Sequence, residues 1–466
     1  MKFRLSVLAV AMLLMSCVGA QDYSYHRYKE NPARYSKTVR ALLDQAAADL
    51  DLEIVCDPRV EPYLEMTVPQ APWTLWNDPA LRLAYILAPV DLTFEKTGEK
   101  SYRVFEPYYQ QRPEAEGAAQ LERLSRHFDT LEKWTPRRAA LKSAILDRMG
   151  LADFPRDSDL TPILSEKRTY DGYTVQNVAL QILPGVYLCG NLYLPTELKD
   201  KNPAVLCPHG HGEKGRTGDD QQYRAASLAR MGAVVFAYGM FAWHVEDSPL
   251  GSTRDAHRDP ISGAMQTWGS IRVLDYLCSL PYVDTEKIGI TGCSGGGTQT
   301  FVAAALDDRI AASVPVVMVS SHFYGGCPCE SGLPWHIDNG GTCNAEIAAL
   351  AAPRPMLVVA VTQDWTKNVP EVEFPYLQKI YGLYGADAQA NVEFAYLDQP
   401  HNYGPSKRQA MYPFLAKYLG LDISRLDESK VSLEAPADMF IFGASGENYP
   451  ENGVKTLEEL KNVLKK

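Results

Sequence analysis

The chain has little that would draw it to nucleic acid or hold it inside a membrane. Lys and Arg total 46 against 57 Asp and Glu, a net charge of −11, and the charges come without long blocks. No basic stripe is offered to phosphates, which excludes the usual nucleic-acid footprint. Beyond the first twenty residues no apolar run approaches the ~20 residues that cross a bilayer. There is no internal repeat, so solenoids and propellers are excluded. Cysteine is scarce, 9 in 466 residues, so disulfides are not the framework of the fold. What is present is ordinary: 46% hydrophobic residues, enough for a large core, and a length that favours one small and one large domain.

The first twenty residues read as a secretory signal. "MKFR" supplies positive charge, "LSVLAVAMLLM" a short apolar run, and "VGA" before Gln21 a small-residue cleavage site. Export to the periplasm or medium is expected. "LMSC" is similar to a bacterial lipoprotein processing site, so a lipid on Cys17 and an outer-membrane location form the alternative.

Residues 22–107 read as a small α+β domain: helical spacing in "YSKTVRALLDQAAADLD", short strands "LEIVCD" and "LEMTVP", a helix in "PALRLAYILAP" and a hairpin in "LTFEKTGEKSYRVF". Its pattern resembles the short N-terminal domain of secretins and TonB-dependent receptors, and it holds no catalytic cluster. Residues 108–120, polar and Pro/Gly-containing, read as a linker. Residues 121–428 form the large domain and 429–466 a C-terminal extension. From Pro203, apolar strands ("AVLCP", "AVVFAYG", "KIGITG", "AASVPVVMV", "RPMLVVAV", "NVEFAYLD") alternate with helices, which predicts a mostly parallel sheet covered on both faces. A hairpin in "YTVQNVALQILPGVYLCGNLYLP" leads into it, so an α/β-hydrolase fold is expected.

Within that frame, "KIGITGCSGGGTQT" takes on meaning. A strand runs into Gly292-Cys293-Ser294-Gly295-Gly296 and a helix follows. This is the nucleophile elbow, G-x-S-x-G, with Ser294 as nucleophile. In this fold the order is serine, acid, histidine. His401 follows the last expected strand and is the expected base. Asp364 follows the preceding strand and is the expected acid; Glu330, one strand earlier, is the alternative. The oxyanion requires two donors. One is the Gly295 N–H; the other comes from "HGHGEKG" after "AVLCP", at Gly210 or His211.

Two further stretches bear on chemistry. Cys327, Cys329 and Cys343 lie in one insertion near His322 and His336, but their spacing matches no standard zinc site and no metal is assigned. A disulfide from Cys343 to one of the pair and free buried thiols stay open. The loop Tyr238–Asp259 carries aromatics that could stack on sugars; a solvated lid is the alternative. His209, His244, Arg254, Arg258 and His336 are candidate substrate contacts, with His257 a further local cation. No cofactor is expected.

Together "IRVLDYLCSLPYVDTEKIGITGCSGGGTQT", "CPHGHGEKGR", "APRPMLVVAVTQDWTKN" and "HNYGPSKR" resemble the acetylxylan-esterase-like α/β-hydrolases of polysaccharide-degrading Bacteroidetes, a group that includes α/β-hydrolase pectin methylesterases. The resemblance implies Ser294, His401 and Asp364 as triad and a plant polysaccharide carrying acetyl or uronate methyl esters as substrate. It also shows a departure. Many acetylxylan esterases have Gln after the serine and glucuronoyl esterases have Arg, whereas this chain has Gly295. Two other functions are weighed: a secreted serine peptidase of prolyl-oligopeptidase type, against which the missing propeller counts, and a non-catalytic envelope-binding protein, against which the intact triad counts.

Overall fold

In the first unit, β1 (Ser36–Thr38) leads into α1 (Val39–Leu50), whose Val39, Leu42, Leu43 and Ala46 share one buried face. Thr38 caps α1 by accepting from the Ala41 N–H. The computed structural model describes residues 36–464 except 70–76, 91, 106–110, 152–153, 156–158, 213, 245–246, 252–253, 260, 332–335 and 337–340. The expected signal segment and Cys17 lie outside the described residues. The chain divides into two compact units, Met1–Tyr108 and Tyr109–Lys466.

In the first unit β2 (Glu53–Cys56) runs parallel to β5 (Ser101–Phe105), and β5 pairs antiparallel with β4 (Thr93–Lys96). β3 (Thr67–Pro69) pairs with β1. Leu83, Ile86 and Leu87 of α2 (Pro79–Leu87) are fully buried, as is Val104 of β5. The elements expected from spacing are present.

The second unit opens with α3 (Glu114–His127) and α4 (Leu131–Arg148). α3 corrects the linker expected at 108–120. Pro113 precedes the helix, Glu114 and Glu116 favour its N-terminal turn, and Leu121 and Leu124 are buried. Gly117 lies so close to the Ser321 and His322 backbone that a Cβ would sit 2.8 Å from His322 Cβ. The polarity that suggests a linker is the solvent side of this helix.

A ten-stranded sheet follows: β6 (Ile163–Leu164), β7 (Arg168–Tyr170), β8 (Tyr173–Leu183), β9 (Val186–Pro195), β10 (Asn202–Pro208), β11 (Val234–Tyr238), β12 (Val283–Cys293), β13 (Ile310–Val316), β14 (Met356–Val361) and β15 (Val392–Leu397). Its spatial order is β15-β14-β13-β12-β10-β11-β9-β8-β6, with β7 on β8. β10 to β15 are mutually parallel wherever they pair, and the β8–β9 hairpin joins antiparallel to β11. This is the α/β-hydrolase arrangement. Both faces of the central strands are buried, which is why those strands read as continuous apolar runs. Met356, Val358 and Ala360 of β14 pack toward α6 (Ile261–Ser279), α7 (Gly295–Leu306) and α8 (Glu373–Gly382). Leu357, Val359 and Val361 pack on the other face with α5 (Asp219–Arg230) and α9 (Pro405–Leu419).

Residues 429–466 belong to this unit rather than trailing from it. Asn177 and Asn191 donate to the carbonyls of Asp438 and Met439, each at 2.9 Å. Glu434 accepts from Arg168 and from Tyr170, both at 2.7 Å. Beneath them Arg216 donates to Asp247 at 2.8 Å, both side chains fully buried, and also to Met439 O.

Candidate active site

β10 is flanked on one side by β11 and on the other by β12, so the chain reverses direction across the sheet there. Such a switch point opens a crevice at the carboxyl ends of the two diverging strands. His209-Gly210-His211-Gly212 leaves β10 at that crevice, and Ser294 leaves β12 there. Ser294 is held at φ 56°, ψ −124°, a left-handed conformation that side chains rarely adopt. The glycines around it are steric necessities. A Cβ on Gly292 would meet Gly296 O at 2.5 Å, one on Gly296 would meet Pro208 O at 2.6 Å, and one on Gly210 would meet Cys293 O at 2.4 Å. The Ser294 N–H is spent on Val316 O at 3.0 Å, which leaves the Gly295 N–H, first in α7, at the elbow's mouth.

The loops after β14 and β15 bring Asp364 and His401 together. His401 Nδ1 lies 2.7 Å from Asp364 Oδ2. The second carboxylate oxygen, Oδ1, accepts from the Thr366 N–H at 2.6 Å and its hydroxyl at 2.5 Å. Asp364 is buried and His401 part-exposed, with Trp365 packed on its ring at 4.6 Å. Lys407 fixes the histidine loop by donating to Pro400 O and Asn402 Oδ1.

Glu330 stands on the other side of the serine. Its Oε1 accepts from Ser294 Oγ at 3.3 Å and from His211 Nδ1 at 2.9 Å, and Oε2 accepts from the Gly326 N–H at 2.7 Å. Burial alone would push its carboxyl up, but His211 and the Gly326 N–H outweigh that and hold it at about 2. Glu330 therefore faces His211 and the nucleophile, while Asp364 holds His401. A Cβ on Gly295 would lie 3.2 Å from both Glu330 Oε1 and His211 Cε1. Glu330 and His211 thus leave little room for a side chain here, which accounts for the glycine.

The other candidates divide. His209 is 2% exposed; its Nε2 accepts from the Met240 N–H and its Nδ1 donates to Gly210 O. Burial drives its pKa down to about 3, so it braces the loop rather than meeting substrate. His336 is 1% exposed, stacked on Tyr324 and bonded to Asn344, and is likewise removed from substrate. His244 is half-buried and Arg258 exposed; the side chain of Arg254 lies outside the described residues. Cys343 is a buried free thiol, pushed up to about 12 by burial, and forms no disulfide. Cys327 and Cys329 instead face His211 and His257, which sequence spacing did not connect. Trp243, from the aromatic loop, packs on both imidazoles at 4.6 Å.

The fold and these side chains define a carboxylic ester hydrolase of the α/β-hydrolase class, in which the carbohydrate esterases fall. The solved structure of Methylesterase BT1017 is 39% identical to this chain, covers 92% of it and is itself covered over 95%, with a TM-score of 0.73. The chain belongs to the family of that methylesterase. A family model described as "Glucuronyl esterase, fungi" matches residues 258–329. Among curated proteins, the hydrolase YtaP of Bacillus subtilis is 26% identical over 196 residues, 36% of this chain. The 4-O-methyl-glucuronoyl methylesterase of Cerrena unicolor is 37% identical over 75 residues, 16% of this chain. The chain spans 63% of the first and 15% of the second.

Proposed function

We propose that the chain is an exported serine carbohydrate esterase acting on plant cell-wall polysaccharide, with a uronate methyl ester as its substrate group. The observation that carries this is the 2.7 Å His401–Asp364 contact beside a serine on a strained elbow. The names of its relatives, a methylesterase along the whole chain and glucuronoyl methylesterases over part of it, support the methyl ester over an acetyl group.

In the proposed reaction Ser294 Oγ attacks the ester carbonyl while His401 Nε2 takes its proton. Asp364 holds the Nδ1–H tautomer and stabilises the imidazolium. The oxyanion is met by the Gly295 N–H and by an N–H of the Gly210–His211 loop. Collapse breaks the bond to the methoxy oxygen, His401 returns its proton, and methanol leaves. Water, deprotonated by His401, then attacks the uronoyl-serine, releasing the acid and restoring the hydroxyl. Before reaction the Ser294 hydroxyl donates to Glu330 Oε1, and in the proposed reaction its proton is given up to His401 Nε2 instead.

Methanol and acetate release are measured on methyl-esterified homogalacturonan, acetylated pectin and acetylated xylan, with Ser294→Ala as control. Methanol from homogalacturonan, absent in the variant, is expected. Acetate alone assigns the acetyl reaction, and neither product refutes the carbohydrate assignment. Cleavage of amino-acyl anilides would favour the peptidase, and failure of a fluorophosphonate to label Ser294 the non-catalytic binder.

A further inference from the structure

Four side chains from three separate segments converge next to the nucleophile. His211 comes from the loop after β10, His257 from the short helix Arg254–Arg258, and Cys327 and Cys329 from the insertion after β13. One ligand-type atom of each lies within 4.8 Å of all the others. The Nε2 atoms of the two histidines are 3.2 Å apart. His211 Nε2 is 3.3 Å from each sulfur, and Cys329 Sγ is 3.6 Å from His257 Nε2. Bonds of about 2.05 Å to nitrogen and about 2.3 Å to sulfur in a tetrahedron predict edges of about 3.3 Å for N–N, 3.6 Å for N–S and 3.8 Å for S–S. The nitrogen edges agree. The sulfurs, at 2.7 Å, are closer than that but well beyond the ~2.05 Å of a disulfide.

We infer that His211, His257, Cys327 and Cys329 form a closed, structural zinc site that fixes Glu330 and the oxyanion loop around Ser294. Three observations beyond the distances support it. Two imidazole nitrogens aimed at two sulfurs have no purpose around a disulfide, whereas an N2S2 tetrahedron is a zinc donor set. Two thiolates and two neutral imidazoles balance a divalent cation, so the buried cluster carries no net charge. His211 donates through its other nitrogen to Glu330 at 2.9 Å, the carboxylate–histidine–metal relay that orients metal ligands. With four protein donors no position is left for water, so the ion takes no part in the hydrolysis. Its effect is to tie three loops together beside the serine, with Trp243 packed on both imidazoles.

The full-length protein, purified without chelating resin, is analysed by mass spectrometry for metals. About one zinc per chain is expected, lost in the Cys327→Ser/Cys329→Ser double variant. Glu330→Gln should weaken zinc affinity by roughly 10–100-fold. Because the double variant can misfold, the parent is also loaded with cobalt, whose absorption should show tetrahedral d–d and thiolate charge-transfer bands. Ser294→Ala must retain its zinc, so an inactive esterase would leave the metal result standing. A zinc-free protein that takes up neither metal under reducing conditions, or a Cys327–Cys329 disulfide found by peptide mapping, overturns the site.

Discussion

Ser294 pays for its exposure in backbone strain, with φ 56° in a residue that has a Cβ. Such conformations cost of order 1–3 kcal/mol, and glycine adopts them freely. Ser294→Ala should lower kcat by ~10⁴-fold or more with the fold intact, and Ser294→Gly should be equally inactive yet melt no lower than Ser294→Ala. Calorimetry of the two folded variants checks this; a lower melting temperature for the glycine variant would show that the elbow is not strained. At the acid position, Asp364→Asn should cost on the order of 10³–10⁴ in kcat, because it favours the wrong imidazole tautomer. Glu330→Gln should cost less, since Glu330 faces His211 and the serine hydroxyl rather than His401 Nδ1. Steady-state kinetics in which Glu330→Gln is the slower enzyme would transfer the acid's role to Glu330.

At the level of elements, the insertion after β13 stores a pH dependence. Burial, aided by Arg112, holds His336 down at about 3 against the bonding to Asn344. The unfolded chain binds that proton near pH ~6.5. Between these values only the unfolded state gains a proton, so stability falls as pH drops through the window and this contribution is flat above it. At pH 5 the histidine's share is about 2 kcal/mol. Urea titrations of the parent and His336→Gln at pH 7 and pH 5 should show a shallower pH slope in the variant; equal slopes would place the proton elsewhere. The same insertion marks where sequence stops being informative. The central strands β10, β11, β13 and β14 were legible because a sheet buried on both faces leaves apolar runs, such as "MLVVAV" in β14. The positions of Ser294, Asp364 and His401 after β12, β14 and β15 were legible because topology assigns each to a strand end. Nothing local distinguishes His336 and His209, buried and bonded, from loop histidines open to substrate. The Cys327, Cys329, His211, His257 grouping has no spacing to read, because tertiary packing alone joins its three segments. α3 was missed because a polar face and a proline cap look like a linker.

Across the whole molecule, the break at Tyr108/Tyr109 gives a boundary for dissection. A protein beginning at Tyr109 should hydrolyse a small soluble ester with kcat/KM within about threefold of the full chain, because every side chain placed in the reaction lies beyond that point. One beginning at Gly117 should be less stable, since it cuts into α3 and loses the Arg112 N–H bond to His322 O. Melting curves and p-nitrophenyl acetate kinetics on the two proteins test this, and an inactive but folded Tyr109 protein would place part of the site in the first unit. The last stretch of the chain has a different significance. Met439 O accepts from Asn191 and Arg216, and Arg216 follows shortly after the His209–Gly212 loop. Asp438 and Met439 come later in the chain than Ser294, Asp364 and His401, so the ribosome releases those carbonyls only after all three side chains have emerged. The nascent chain therefore carries all three side chains before the acceptors of Asn177, Asn191 and Arg216 exist, and the packing beneath the β8–β9 hairpin can close only once residues 438 and 439 have been added.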